Sequence, residues 1–205
     1  MNALPTSSHS GNDTLRAALR QERIAARLAL SEEEHQQLSQ RVEDRLGDFL
    51  ARHPAGILGF YWPWRKEFDC RPLIAQLLQQ QTALSVCLPV VLAPNAPLEF
   101  RRWTTQSQLS IDRYGIHYPA NGDALLPDTL LIPVNAFDAR GFRLGYGAGY
   151  YDRTLAALTP RPLTIGIGFE LARVECLAPQ AHDIPLDVIV TEKTTQIFPR
   201  SSEAE

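Results

Sequence analysis

TLLIPVNAFDARGFRLGYGAGYYDR, residues 129–153, places an apolar run directly before a glycine-rich segment. The run TLLIPV (129–134) has the length and composition of a buried strand. The segment RLGYGAGYYD (143–152) follows it, with glycine at positions 145, 147 and 149. Alternate glycines permit positive φ, so successive backbone N–H groups can converge on an anion. By spacing alone, phosphate binding and a tight strand-to-helix turn are equally good interpretations.

Two details extend the phosphate interpretation. A helix beginning near Gly149 would offer its N-terminal N–H groups and partial positive charge to a phosphate. Asp152 would lie just inside that helix, where a carboxylate can hold Mg²⁺ against the same phosphates. The segment is neither a Walker A loop nor a dinucleotide fingerprint, because it lacks the Gly-Lys-Ser/Thr ending and the Gly-x-Gly-x-x-Gly spacing.

The rest of the chain alternates apolar strands with helices. Further strands are predicted at 55–62, 83–92 (interrupted or ended by Pro89), 98–103 (an edge strand or half a hairpin), 162–169 and 187–192, and a helix at 70–81. This alternation predicts an α/β fold with a mostly parallel, Rossmann-like sheet. In such folds ligands bind beyond the carboxyl ends of the strands. We therefore expect the site in the segments after Tyr61, Val134 and Phe169.

Two helices precede the first strand. The first is predicted to begin at Asp13, with Asn12 or Asp13 as its cap, and the second at Ser31. The first carries arginines at spacings of four, three and four, which line one face: Arg16, Arg20, Arg23 and Arg27. The pattern favours a solvated helix face; the alternative is a stripe directed at an anionic ligand.

Composition sets the remaining limits. The 205 residues carry a net charge of −3, which favours neither nucleic acid nor an anionic membrane as partner. The three cysteines form no CxxC pair, and no signal peptide or membrane span is visible, so we expect a cytoplasmic protein. We predict a disordered lead at 1–11, a single domain at 12–196 and a loose tail at 197–205, and take a monomer as the default.

NAFDARGFRLGYGAGYYDR (135–153) closely resembles the signature of the 5-formyltetrahydrofolate cyclo-ligase family, also called methenyltetrahydrofolate synthetase. The Leu15–Arg16 pair, GFYWPWRKEFD (59–69) and AHDIPLDVIVTE (181–192) resemble further segments of that family in the same order. The resemblance implies a three-layer α/β/α domain. It also implies an enzyme that uses ATP and Mg²⁺ to convert 5-formyltetrahydrofolate into 5,10-methenyltetrahydrofolate, releasing ADP and phosphate. Phosphorylation of the formyl oxygen would precede ring closure by N10.

The resemblance also implies roles for individual residues. Catalysis would involve Arg143, Tyr151 and Asp152, and Mg²⁺ would be held by Asp152 and Asp183. ATP would contact Asn12, Arg16, Arg143, Leu144, Gly145, Tyr146, Gly147, Ala148, Gly149, Tyr150 and Tyr151. The folate would contact Trp62, Glu67, Tyr146, Gly147, Ala148, Gly149 and Tyr150. The chain departs from the pattern at Asn12, where many relatives carry lysine, and at Tyr146 and Ala148, where many carry a cation.

Several interpretations stay open. Trp62 and Trp64 could sandwich a flat ring or fill the core. Three cations could meet the glutamate tail of a folate: Lys66, Arg101 and Arg102. His182 and His117 are ambiguous between the site and ordinary loops. The alternatives to a cyclo-ligase are a non-catalytic nucleotide- or folate-binding protein and an enzyme similar in architecture to sugar-phosphate isomerases or CoA-transferases.

Overall fold

The structure is a computed structural model, and it describes residues 8–200, with side chains from residue 12 onward. Within that range four α-helices occur: α1 (Ser8–Leu28), α2 (Glu32–Arg52), α3 (Arg71–Gln80) and α4 (Tyr150–Ala157). The strands are β1 (Ile57–Gly59), β2 (Ser85–Val90), β3 (Glu99–Trp103), β4 (Leu109–Ile111), β5 (His117–Pro119), β6 (Thr129–Pro133), β7 (Ala136–Phe137), β8 (Arg143–Leu144), β9 (Leu163–Ile167), β10 (Val188–Val190) and β11 (Thr195–Ile197).

Seven strands form the central sheet in the order β11-β10-β9-β6-β1-β2-β3. The five inner strands run parallel, while the edge strands β11 and β3 pair antiparallel with β10 and β2. From β1 the chain adds strands on one side, and from β6 it adds them on the other. The switch point of the sheet therefore lies between β1 and β6, which is where open parallel sheets form a ligand crevice.

Both faces of the sheet are buried, which makes the domain three-layered. Leu58 and Leu131 face a core that includes Val42, Leu46 and Ile74 of α2 and α3. Residues at alternate positions on the strands face the opposite core with Leu155 of α4. Continuous apolar strands are the expected consequence of burial on both faces. The predicted α/β class with a mostly parallel sheet is confirmed.

The strands and helices predicted from periodicity all occur, each within about three residues of its expected bounds except the start of α1, which lies five residues before the predicted Asp13. Pro89 does not end β2, because the register of β2 with β1 stops at Cys87 and Pro89 pairs only with Phe100 of β3. Two hairpins and the last strand were not predicted. Their strands have two or three residues each, too few to show a period.

Both predicted domain ends differ from the structure. Helix α1 already includes Ser8, so Asn12 and Asp13 lie inside it and do not cap it. At the other end, Phe198 is 8% exposed in the core and Arg200 donates to both oxygens of Asp187, so residues 197–200 are not a loose tail. Residues 1–7 and 201–205 lie outside the described range. Among the described helices, none is long and apolar enough to cross a membrane.

We predict that Phe198→Ala lowers the free energy of unfolding by about 3 kcal/mol, since a buried aromatic ring leaves a cavity. Ile197→Ala is the matched control, because Ile197 is 67% exposed and should change stability by less than about 0.5 kcal/mol. Urea unfolding of the two variants tests this. Equal losses would contradict a folded role for the segment after residue 196.

Candidate functional site

One cavity of about 590 Å³ lies at the switch point. Its floor is lined by residues at the carboxyl ends of three strands: Tyr61 and Trp62 after β1, Val91 after β2, and Ile132 and Pro133 at the end of β6. The glycine-rich segment, the start of α4, part of α1 and the turn between β4 and β5 form its walls. The location agrees with the expectation that the site follows Tyr61 and Val134.

The glycine-rich segment connects β8 to α4 and forms one wall, which we call the glycine loop (residues 145–149). Gly147 and Gly149 have φ of 96° and 66°, a region that L side chains rarely adopt. A Cβ at position 147 would lie 3.3 Å from the guanidinium carbon of Arg20. A glycine at this position therefore leaves space for the Arg20 side chain. Gly149 precedes α4, whose first N–H groups have no partner within the helix. The loop is therefore a strand-to-helix turn that lines the cavity, and phosphate binding by its backbone stays a prediction.

The arginine stripe of α1 faces the protein. Arg16 donates to both oxygens of Asp183 at 2.6 and 3.0 Å, and Arg20 Nε donates to the carbonyl of Gly145 at 2.7 Å. Arg23 Nη1 donates to the Leu171 carbonyl at 3.0 Å. The interpretation of this stripe as a solvated face is wrong.

The fourth arginine, Arg27, is 4% exposed and joins three segments around the cavity. Its guanidinium donates to the carbonyl of Arg65, to Oδ1 of Asn135 at the end of β6, and to the hydroxyl of Tyr146 in the glycine loop, at 2.9, 2.9 and 3.1 Å. The Tyr146 hydroxyl in turn donates to Oε1 of Glu67 at 2.8 Å. We call this series the Arg27–Tyr146–Glu67 chain.

Glu67 is held by a turn with unusual backbone. Arg65 and Lys66 have φ of 50° and 55°, which is strained for residues other than glycine. Helices α1 and α2 stabilise this turn: Arg27 binds the Arg65 carbonyl, and His35 Nε2 lies 3.0 Å from the Lys66 carbonyl. The turn allows the Trp64 N–H to donate to Glu67 at 2.9 Å. Burial raises the pKa of Glu67 despite the opposing effect of Arg27 and these hydrogen bonds.

Two further carboxylates line the cavity, those of Asp152 and Asp183. Asp152 Oδ1 accepts from Arg143 Nη2 and from the Ile184 N–H, both at 3.1 Å. Oδ2 of Asp152 receives no hydrogen bond from any described residue, and it belongs to a cavity-lining side chain. Asp183 differs, because Arg16 engages both of its oxygens and the Gln180 N–H donates to Oδ2.

These two carboxylates fit a Mg²⁺ site that relies on a substrate. No cluster of three or more His, Cys, Asp or Glu residues able to hold a metal occurs among the described residues. Mg²⁺ commonly binds through one or two carboxylates together with substrate phosphates and waters. Asp152 meets that requirement directly, and Asp183 would have to share its oxygens with Arg16.

The aromatic rings near the cavity already have neighbours. Trp62 lies against His117, with ring centroids 5.0 Å apart, and the Arg71 guanidinium is 4.5 Å from its ring. Trp64 lies 5.0 Å from the ring of Tyr146. Both tryptophans line the cavity, but each already packs against neighbouring side chains.

All but one of the predicted site residues line this cavity; the exception is Asn12. Its side chain donates to the Ala178 carbonyl at 3.1 Å, and its buried Oδ1 has no partner in the described part of the chain. The cations predicted for a glutamate tail are engaged elsewhere: Lys66 with Leu30 and Glu32, Arg101 with Glu99, and Arg102 with Ser85. His182 lines the cavity.

Sequence reasoning did not assign individual roles to Arg27, Asn135 or Tyr61. Arg27 was visible as the last member of the stripe. The direction of the stripe depends on contacts with residues far along the chain, which no local spacing shows.

The fold and this cavity define an α/β protein with a ligand site at the switch point of a parallel sheet. Comparison with known proteins shows which family with this fold the chain resembles. Residues 12–192 match the 5-formyltetrahydrofolate cyclo-ligase family. The 5-formyltetrahydrofolate cyclo-ligase of Escherichia coli K12 is 34% identical over 172 residues, covering 80% of this chain and 93% of that protein. The Haemophilus influenzae cyclo-ligase is 30% identical over 188 residues, covering 87% and 99%.

Solved structures agree. The Aquifex aeolicus 5,10-methenyltetrahydrofolate synthetase has a TM-score of 0.79 and 31% identity, covering 93% of this chain and 96% of that one. The Mycoplasma pneumoniae synthetase has a TM-score of 0.71 and 26% identity, covering 86% and 98%. The chain belongs to the 5-formyltetrahydrofolate cyclo-ligase family, and the resemblance found in the sequence is confirmed.

We predict that Tyr146→Phe lowers the free energy of unfolding by about 1–2 kcal/mol, because the buried Glu67 carboxylate loses a donor. A double-mutant cycle with Glu67→Gln, followed by urea unfolding at pH 7, measures the coupling of the two side chains. We expect a coupling free energy of about 1 kcal/mol. Because glutamine keeps an acceptor oxygen, additive losses would mean that the charge of Glu67 adds nothing to the hydrogen bond.

Glu67 should also make stability depend on pH. Its pKa is raised from 4.5 by burial, so the folded protein binds this proton more tightly than the unfolded chain. The stabilisation is complete below the ordinary pKa and is lost as the pH rises through the raised one. Wild type should therefore lose stability relative to Glu67→Gln from pH 4.5 towards pH 7 in urea unfolding. A constant or opposite difference would contradict the direction of the pKa shift.

Proposed function

We propose that the chain converts 5-formyltetrahydrofolate into 5,10-methenyltetrahydrofolate with hydrolysis of ATP to ADP and phosphate. The observation that carries the proposal is the division of one cavity into two chemically different ends. We call the part lined by Arg16, Arg20 and the backbone of the glycine loop the first end, and the part lined by Glu67, Trp62 and Trp64 the second. The hydroxyl of Tyr146 joins the loop to Glu67.

The first end suits a polyphosphate. Arg16 and Arg20 are close enough that Arg16 adds to the lowering of the Arg20 pKa, which is caused mainly by burial. Two guanidinium groups that repel each other are stabilised when an anion binds between them. The glycine loop and the N-terminus of α4 supply backbone donors beside them. This arrangement compensates for a loop that carries no cationic side chain at Tyr146 or Ala148.

Mg²⁺, when bound, would neutralise phosphate charge, and Asp152 with Asp183 would hold it. Arg143 is 7% exposed, donates to Asp152 at 3.1 Å and to the Ile184 carbonyl at 2.7 Å, and thereby orients the first of these carboxylates.

The second end suits the pterin of a reduced folate. Glu67 presents carboxylate oxygens that accept hydrogen bonds from ring N–H groups, and Trp62 and Trp64 supply apolar contact. Tyr151 lines the cavity between the two ends, and burial raises the pKa of its phenol. It is therefore a neutral hydrogen-bond donor at physiological pH, available to an oxygen of the reacting groups.

The chemistry needs positioning more than a protein nucleophile. The γ-phosphoryl group moves from ATP to the formyl oxygen, which releases ADP. The N10 lone pair then attacks the formyl carbon, phosphate leaves with that oxygen, and N10 loses its proton. Holding both substrates in one cavity makes the transfer effectively intramolecular, and the cationic wall stabilises the developing charge.

Mixing the purified protein with 5-formyltetrahydrofolate, ATP and Mg²⁺ tests the proposal directly. We expect the absorbance of the methenyl product to appear only when all three are present. Binding of both substrates without product would instead identify a non-catalytic binding protein.

Asp152→Asn should reduce kcat at least about 100-fold, because it removes the negative charge that would bind Mg²⁺. The unfolding midpoint should stay within about 2 °C of wild type, because the amide keeps an acceptor for Ile184 and Arg143. Asp123→Asn, at a side chain that is 85% exposed, is the matched control and should retain full turnover. Turnover near wild type in Asp152→Asn would remove this residue from the proposed metal site.

A further inference from the structure

We propose that Arg113, together with the hydroxyls of Tyr114 and Tyr150, binds the glutamate carboxylates of a reduced folate. The inference rests on the proposed function, because it concerns the far end of the same substrate. It assigns a specificity role to the turn between β4 and β5.

A second cavity leads from the first towards this turn. It has a volume of about 330 Å³ and shares Val91, Asp112 and Tyr114 with the larger one. Arg113 lines only the second cavity. A ligand too long for the first cavity can therefore extend past Tyr114 into a space with a cation in its wall.

The guanidinium of Arg113 has neutral hydrogen-bond partners. Its Nη2 donates to the Tyr114 hydroxyl at 2.8 Å and to the Tyr150 hydroxyl at 3.3 Å. The nearby carboxylate of Asp112 is occupied by the turn itself, since its Oδ1 accepts from the N–H groups of Tyr114 and Ile116 at 2.8 and 2.9 Å. The positive charge of Arg113 is thus available to an anion from outside.

Other arginines that line the larger cavity are paired with carboxylates or bind the glycine loop. Arg16 and Arg143 pair with the carboxylates of Asp183 and Asp152. Arg20 of α1 has no carboxylate partner among the described contacts, but it donates to the carbonyl of Gly145 in the glycine loop, at the end that we assign to phosphates. A carboxylate that enters the second cavity beside the turn between β4 and β5 would therefore bind Arg113.

The chemistry of the substrate matches this placement. A reduced folate carries its polar pterin at one end and the glutamate carboxylates at the other, separated by an aminobenzoyl ring. With the pterin at Glu67, the ring would occupy the apolar middle, and the carboxylates would need donors beyond it. A guanidinium flanked by two phenol hydroxyls supplies a charge and further donors in one place.

The test compares 5-formyltetrahydrofolate with the carboxamide of 5-formyltetrahydropteroate, which lacks the glutamate and carries no free carboxylate. Calorimetry gives the dissociation constant of each, and turnover gives KM and kcat. In Arg113→Gln we expect the dissociation constant and KM for 5-formyltetrahydrofolate to rise about tenfold. The tail-less compound should bind wild type and variant equally, and KM for ATP should not change. Arg113→Lys should recover part of the lost affinity.

Arg102→Gln is the matched control, since Arg102 is a half-exposed arginine of β3 that lies outside both cavities. It should leave all the constants unchanged. An equal loss of affinity for both compounds in Arg113→Gln, a raised KM for ATP, or no loss at all would overturn the proposal. The dissociation constants decide this even if wild type shows no turnover, in which case only the proposed reaction fails.

Discussion

The buried guanidinium of Arg27 determines how the segments around the cavity are arranged. A buried cation without acceptors is strongly destabilising, so its hydrogen bonds constrain the groups that accept them. Here those acceptors belong to the strained turn before Glu67, to the end of β6 and to the glycine loop. None of these segments can shift far without removing an acceptor from a buried charge. One side chain of α1 therefore couples the two ends of the cavity.

The other arginines of α1 also donate hydrogen bonds to distant segments, but they are less buried than Arg27. Among the side chains of α1 that are described, from residue 12 onward, Ile24 is the buried apolar one, while Leu15 is 62% exposed. Polar contacts to carbonyls and to Asp183 hold the helix against the domain. The parallel sheet provides the location of the site, and an amphipathic helix docked largely through arginines provides much of its positive charge.

The sequence was sufficient for the sheet, because TLLIPV and its equivalents are continuous apolar runs and their alternation with helices admits few topologies. It was also sufficient to bring Arg143, Asp152, Asp183 and Glu67 to one expected site, through the resemblance to a family. The sequence could not predict which way the arginine stripe faces, because the spacing of the arginines is the same whether they face solvent or carbonyl groups. The short strands that shape the hairpin at Arg113 leave no period to detect.

The docking of α1 also has a consequence for how the protein emerges from the ribosome. Arg16, Arg20 and Arg23 find their partners 167, 125 and 148 residues later in the chain. The helix is therefore synthesised long before the segments that surround it, since Asp183 must leave the exit tunnel before Arg16 can pair. Contacts at such separation close late, after the local ones. The part of the cavity lined by Arg16 is thus completed only after Asp183 has been made.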